Sequence, residues 1–211
     1  MLNSSGSSAA KRVLMTADSI GGVWTYAVEL AGALSRCNIQ ISLATMGKPL
    51  AHEQREQIKH LPNLEVFESG YNLEWMEDPW EDVRRAGEWP LRLEGALQPD
   101  IVHLNGYAHG ALPWQSPVLI VGHSCVPSWW NAVRKEAAPS SWNRYREEVA
   151  RGLQAAQIVI APSRFMLSAL DQYYGPLADG RVVPNGLDQA LFAGADESKR
   201  EFVLTAGRLW D

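Results

Sequence analysis

The 211-residue chain has a net charge of −5, with 46% hydrophobic and 20% charged residues, which suits one globular domain or one domain plus a fragment. An acidic chain has no general electrostatic pull toward nucleic acid or anionic lipid, so any anion site must be local. Its two cysteines, Cys37 and Cys125, lack metal-ligand spacing and cannot build a disulfide scaffold, which favours a reducing, cytoplasmic setting.

Residues 1–10, MLNSSGSSAA, are small and polar and read as a disordered leader without a signal-peptide apolar region. No apolar run is long enough to span a bilayer, and no transmembrane segment is expected. RVLMTA at 12–17 reads as a buried strand, followed by the turn DSIGG. In VWTYAVELAGALSR the residues Val23, Ala27, Leu30, Ala31 and Leu34 recur at helical spacing. IQISLATM at 39–46 is a second strand, HEQREQIKHL a helix with polar faces, and NLEVFES a third strand. Strand and helix alternate, which predicts a parallel α/β sheet with helices on its faces.

The Trp-rich stretch DPWEDVRRAGEWPLRLEGAL predicts helix interrupted near Pro90. DIVHLN at 100–105 and PVLIVGHS at 117–124 are the next strands. The segment from Cys125 to Trp142, with Pro127 and Pro139, reads as irregular. WNRYREEVARGLQAA is a helix, QIVIAPS a strand, RFMLSALDQYYG a helix closed by Gly175, and GRVVPNGLD a short strand and loop. EFVLTAGRLWD at 201–211 begins a further strand after the charged stretch ADESKRE.

Several positions follow strand ends, where ligands of open α/β sheets bind. Gly21 and Gly22 stand between the first strand and first helix, where a bare backbone and free N–H groups can meet an anion or sugar; the competing reading is a turn needing positive φ. They do not form a dinucleotide fingerprint, and no acidic residue ends the second strand, which argues against nicotinamide. His123 in VGHSCVPSW is expected at the same rim, able to donate a hydrogen bond to a sugar hydroxyl or to stabilise developing charge. Asn105 ends its strand on the face shared with His103, and His103 reads as a structural hydrogen-bonder. Ser163 reads as a helix N-cap, while Arg164 in the first helical turn opposes the dipole and suits a phosphate or acidic sugar. Asn185-Gly186 reads as a turn. Nine tryptophans are either packing residues or sugar-stacking faces; Trp129 and Trp130 are placed as an acceptor wall.

GGVWTYAVELAGAL, PDIVHLN, VGHS, IVIAPSRF, VVPNGLD and FVLTAGRLWD occur in an order and spacing that resemble the family-4 glycosyltransferases of the GT-B fold, over nearly all of residues 11–211. The resemblance implies two Rossmann-like domains across a cleft. The N-terminal one mainly binds the acceptor, and the C-terminal one binds a nucleotide-sugar donor. It implies transfer with retention, without a required metal or other cofactor. By it, Gly21 and Gly22 match the loop approaching the donor diphosphate and acceptor, His123 a histidine near the reacting sugar, and Arg164 and Asn185 looser binding positions. Arg208 in GRL matches an arginine approaching the donor phosphates.

Residues 11–195 are accordingly expected to form the acceptor-side domain, and 196–211 a linker and the first strand of a truncated donor domain. The family's downstream lysine and glutamate pair have no counterpart, so the chain alone is expected to be inactive. An acceptor-binding subunit completed in trans by a separate donor-binding chain is the alternative. A UDP-sugar epimerase is disfavoured because no Tyr is followed by Lys four positions later. The expected partners are a nucleotide sugar and a glycan, lipid or small-molecule acceptor. The expected location is cytoplasmic, with a peripheral position at the inner membrane left open for lipid acceptors.

Overall fold

A computed structural model of the chain describes residues 11–188 together with Glu201 and Val203. The expected leader, the expected domain boundary after 195 and Arg208 lie outside the described residues.

The described chain runs β1 (Arg12–Asp18), α1 (Gly22–Ser35), β2 (Gln40–Met46), α2 (His52–Ile58), β3 (Leu64–Glu68), α3 (Trp80–Leu97), β4 (Ile101–Leu104), β5 (Val118–Val121), α4 (Val126–Arg134), α5 (Asn143–Ala155), β6 (Ile158–Ala161), α6 (Arg164–Tyr174) and β7 (Gly180–Val182). Short 3-10 turns cover Ala108–Ala111 and Ser140–Trp142. All seven strands are parallel, in the order β3-β2-β1-β4-β5-β6-β7. The chain builds outward from β1 to β3, then returns to build outward on the other side from β4. The strand order therefore reverses between β1 and β4, and their carboxyl ends flank the crevice that such a reversal opens.

Alternation along the strands sends side chains into two separate cores. Val13, Met15, Ala17, Ile41 and Leu43 pack with Trp24, Ala27 and Ala31 of α1 on one face. Leu14, Val102, Leu104, Ile120 and Val159 pack with Val149 and Leu153 of α5 and Met166 and Leu170 of α6 on the other. Two glycines let α5 approach the 3-10 turn closely. A Cβ on Gly110 would stand 2.5 Å from the Gly152 carbonyl oxygen, and one on Gly152 would strike the Tyr107 carbonyl.

Two expectations change. Helix α3 is not interrupted: it runs through Pro90, whose ring is buried. The missing N–H forfeits one intrahelical bond, but Val83, Ala86, Gly87 and Glu94 of the same helix are buried with Pro90, and this packing holds the helix together. The segment after Cys125 is not irregular either, because α4 forms there with Pro127 in its first turn. First-turn N–H groups have no intrahelical acceptor, so proline costs no hydrogen bond at that position. Ser163 is the expected cap, its hydroxyl accepting from the Met166 N–H at 3.1 Å. Gly175 closes α6 at φ +90°.

Candidate functional site

The carboxyl ends of β1, β4 and β5 converge on a cavity of about 420 Å³. Its polar floor comes from Asp18 at the end of β1, Asn105 just past β4 and His123 just past β5. Its wall comes from Trp129 and Trp130 of α4 together with Trp142, and from Asn72, Leu73, Glu74 and Trp75 in the loop after β3.

Asn105 is held rigidly. Its backbone N–H donates to Thr16 Oγ1 at 3.1 Å, and its side-chain Nδ2 donates to the Thr16 carbonyl at 2.7 Å. A carbonyl oxygen only accepts, so the amide orientation is decided and Oδ1 faces His123. His123 Nε2 lies 2.8 Å from that Oδ1 and must carry the proton. Neutral His123 thus presents Nδ1 as a lone-pair acceptor, not as the hydrogen-bond donor that the sequence suggests. Burial holds His123 down at about 4, so the ring is neutral near pH 7. Tyr26 of α1 packs edge-on against it, ring centroids 4.6 Å apart.

Gly122, just past β5, lets the backbone before His123 pass close to its neighbours. A Cβ there would come within 2.9 Å of Tyr107 Oη, which donates to the Ser124 carbonyl at 2.8 Å. His103 shares the α1 face but is a strand-interior residue. Its Nε2 is buried without a hydrogen-bond partner among the described residues, while a side-chain hydrogen bond with Asn105 fits the structural role expected of it.

Two carboxyls that the sequence reading passed over line the cavity. Burial raises Asp18 to about 6, while the Trp75 indole N–H, donating at 3.1 Å, lowers it. Glu74 accepts from the Tyr107 and Ala108 N–H groups at 3.1 and 2.8 Å. Burial raises it to about 7 against those amides, with the charge of Asp18 adding to the rise. Asp18 was findable, because it ends β1 just before the glycine turn. Glu74 carries no sequence signal, since its burial comes from packing against a turn thirty-odd residues away.

The remaining expected site residues separate. Gly21 caps α1 at φ +83°, the conformation its type was expected to serve. Gly22 opens the helix, and a Cβ added to it would meet nothing within 4 Å. The next residue, Val23, lines the cavity, so the glycine turn and His123 share one rim of the sheet. Arg164 is exposed at the same carboxyl edge, beyond β6, but does not line the cavity. Asn185 lies in a second, larger depression of about 910 Å³ between α1 and the segment after β7. No group of three or more His, Cys, Asp or Glu residues suited to a metal occurs among the described residues. No described helix is long and apolar enough to cross a membrane.

The family model for Glycosyltransferase Family 4 matches residues 20–191, most of the chain, including Gly21, Gly22, β4, β5 and α6. The chain belongs to this family. A search of curated protein sequences found no match. Among solved structures, this family-4 chain resembles sucrose-phosphate synthase from Thermosynechococcus elongatus at 14% identity and TM-score 0.66, over 86% of this chain and 49% of that one. It also resembles MurG from Acinetobacter baumannii at 18% identity and TM-score 0.53, over 90% and 50% of the two chains. A third is LpCGTa in complex with UDP, at 17% identity and TM-score 0.58, over 88% and 55%. The family-4 chain thus spans about half the length of these structures and has the fold of the N-terminal half of a GT-B glycosyltransferase.

Proposed function

We propose that this family-4 chain is the acceptor-side half of a glycosyltransferase that moves a hexosyl group from a nucleotide sugar to an acceptor with retention of configuration and without a metal ion. The observation that carries this reading is the cavity at the β1/β4 reversal, with a hydrogen-bonded histidine on its floor and indoles on its wall. Apolar walls with a few convergent polar groups are the usual make-up of a small-molecule site. Indole faces suit the C–H faces of a sugar ring, and His123 Nδ1 accepts from a ring hydroxyl.

The donor lies on the open side of the same rim. There the α1 N-terminus at Gly21–Gly22 and the guanidinium of Arg164 offer N–H donors and positive charge to a diphosphate. The UDP bound to LpCGTa supports a uridine nucleotide as the first donor to test. Donor contacts from a second domain complete the reaction, supplied in the same polypeptide or in trans, and this chain alone does not turn over. The reaction proceeds in the cytoplasm.

The test is calorimetric titration with UDP- and GDP-sugars, run beside a turnover assay of this chain alone and of the chain supplemented with a donor domain. Weak donor binding by this chain and turnover only after supplementation are expected. Turnover by this chain alone would overturn the division of labour, and lack of turnover in every combination would overturn glycosyl transfer.

A further inference from the structure

The charges around the cavity are one-sided. Among the described residues no Lys or Arg lines it, although the whole chain has nineteen of them. Its two histidines are neutral near pH 7. Burial lowers both His123 and His109, and the His109 Nε2 lies 2.8 Å from the Val83 carbonyl. The carboxyls that line it are Asp18 and Glu74. Neither joins an ion pair among the described residues, whereas Glu68, Glu81, Glu88, Glu148 and Asp179 each have an arginine.

Burial raises both carboxyls, and the charge of Asp18 adds to the rise at Glu74, so a cation placed beside them would favour their ionised forms. The described residues supply no cation there, and the cavity is lined by several indoles. Trp129 and Trp130 meet edge to face with centroids 5.7 Å apart, and Trp130 and Trp142 stand at 6.5 Å. Indole faces attract cations, and a carboxyl pair does so more strongly.

We propose that the acceptor bound in this cavity is a hydroxylated compound carrying a protonated amine, with the ammonium held between Asp18 and Glu74 and the body of the molecule against Trp129 and Trp130. This rests on the acceptor-side reading given above. Phosphorylated and carboxylated acceptors are excluded from the cavity by the same two carboxyls. An amine-bearing sugar or cyclitol of one or two rings suits a space of about 420 Å³. Arg164, being outside the cavity, leaves the donor's negative charge to a different part of the rim.

The test uses the full chain at pH 7 and four probes sharing one pyranose ring: glucosamine, N-acetylglucosamine, glucose and glucuronate. Affinity is measured by calorimetry, and the indole N–H signals of Trp129 and Trp130 report entry into the cavity by NMR. Glucosamine is expected to bind about tenfold more tightly than glucose, acetylation to remove that advantage, and glucuronate to bind most weakly. Asp18→Asn, which keeps an acceptor for the Trp75 indole, is expected to abolish the glucosamine advantage while glucose affinity stays near that of the parent and the melting temperature does not fall. Equal binding of all four, with the indole signals moving, overturns the amine but leaves the acceptor cavity standing. A glucosamine advantage that survives Asp18→Asn also overturns it. Indole signals unmoved by every probe overturn both readings.

Discussion

His123 Nε2 sits 2.8 Å from Oδ1 of Asn105, and Asn105 is itself oriented by the Thr16 carbonyl, so a strand on the far side of the crevice decides which nitrogen of the histidine is bare. Nitrogen-15 NMR should show Nδ1 unprotonated, with no titration of His123 between about pH 5 and 8. Asn105→Asp places a carboxylate against Nε2. It should raise the His123 pKa from about 4 toward neutrality and move the acid limb of the complete enzyme's pH–rate profile upward with it. An unchanged limb would mean that His123 takes no part in binding or transfer.

Gly22 separates folding from function. Open space surrounds its missing Cβ, and it lies within the helix, so Gly22→Ala should leave the melting temperature unchanged or stabilise the fold by about 0.5–1 kcal/mol. If a donor phosphate approaches this backbone, the same change should cut turnover of the complete enzyme about tenfold or more. Full activity in the alanine variant would show that the space is never used.

Asp18 makes stability depend on pH in a defined direction. It loses its proton near 3.8 when exposed and near 6 in the fold. Between those values the folded state holds a proton that the unfolded chain has released, so ionisation lowers stability as pH rises from about 4 to about 6. His123 and His103, held near 4 by burial, slope the other way, losing stability as pH falls from 6.5. Both histidines are present in Asp18→Asn, so the difference between variant and parent isolates the carboxyl. Thermal melts should show the variant gaining on the parent across that window and a constant difference above it.

Trp130 is half-buried in the cavity wall, not in the core. Trp130→Ala should weaken acceptor binding about tenfold, measured by titration, with a smaller effect on folding. Parallel losses of affinity and melting temperature would assign the residue to packing alone.

Gly152 is where α5 meets the turn that carries Tyr107. Gly152→Ala drives a methyl group into the Tyr107 carbonyl, a backbone atom that no rotamer change can clear. A loss of about 3 kcal/mol in chemical denaturation is expected. The displaced turn also bears the amides that hold Glu74, so the Glu74 pKa should shift with it.

Much of the fold was readable locally. The strands β1, β2, β4, β5 and β6 are short, mostly apolar runs with turn residues at their ends, and α1, α5 and α6 announce themselves by spacing. Pro90 and Pro127 are ambiguous in the sequence, because a proline's effect depends on whether its face is buried and which helical turn it occupies. Packing decides the first, and the second needs a helix start that no capping residue marks at Cys125.

The rim was readable too. A parallel sheet puts all its carboxyl ends on one edge, so Gly22, Asn105 and His123 had to share it once the strands were recognised. Tertiary structure alone decided what those residues can do. The His123 proton is placed by Thr16, whose partner Asn105 is 89 residues away in sequence. Asp18 and Glu74 come together across separate loops, while Asn185 departs to the outer side of α1. Periodicity is a property of neighbours along the chain and survives in the sequence. Charge state, tautomer and cavity shape depend on desolvation and contact between distant segments, and these exist only once the sheet has formed.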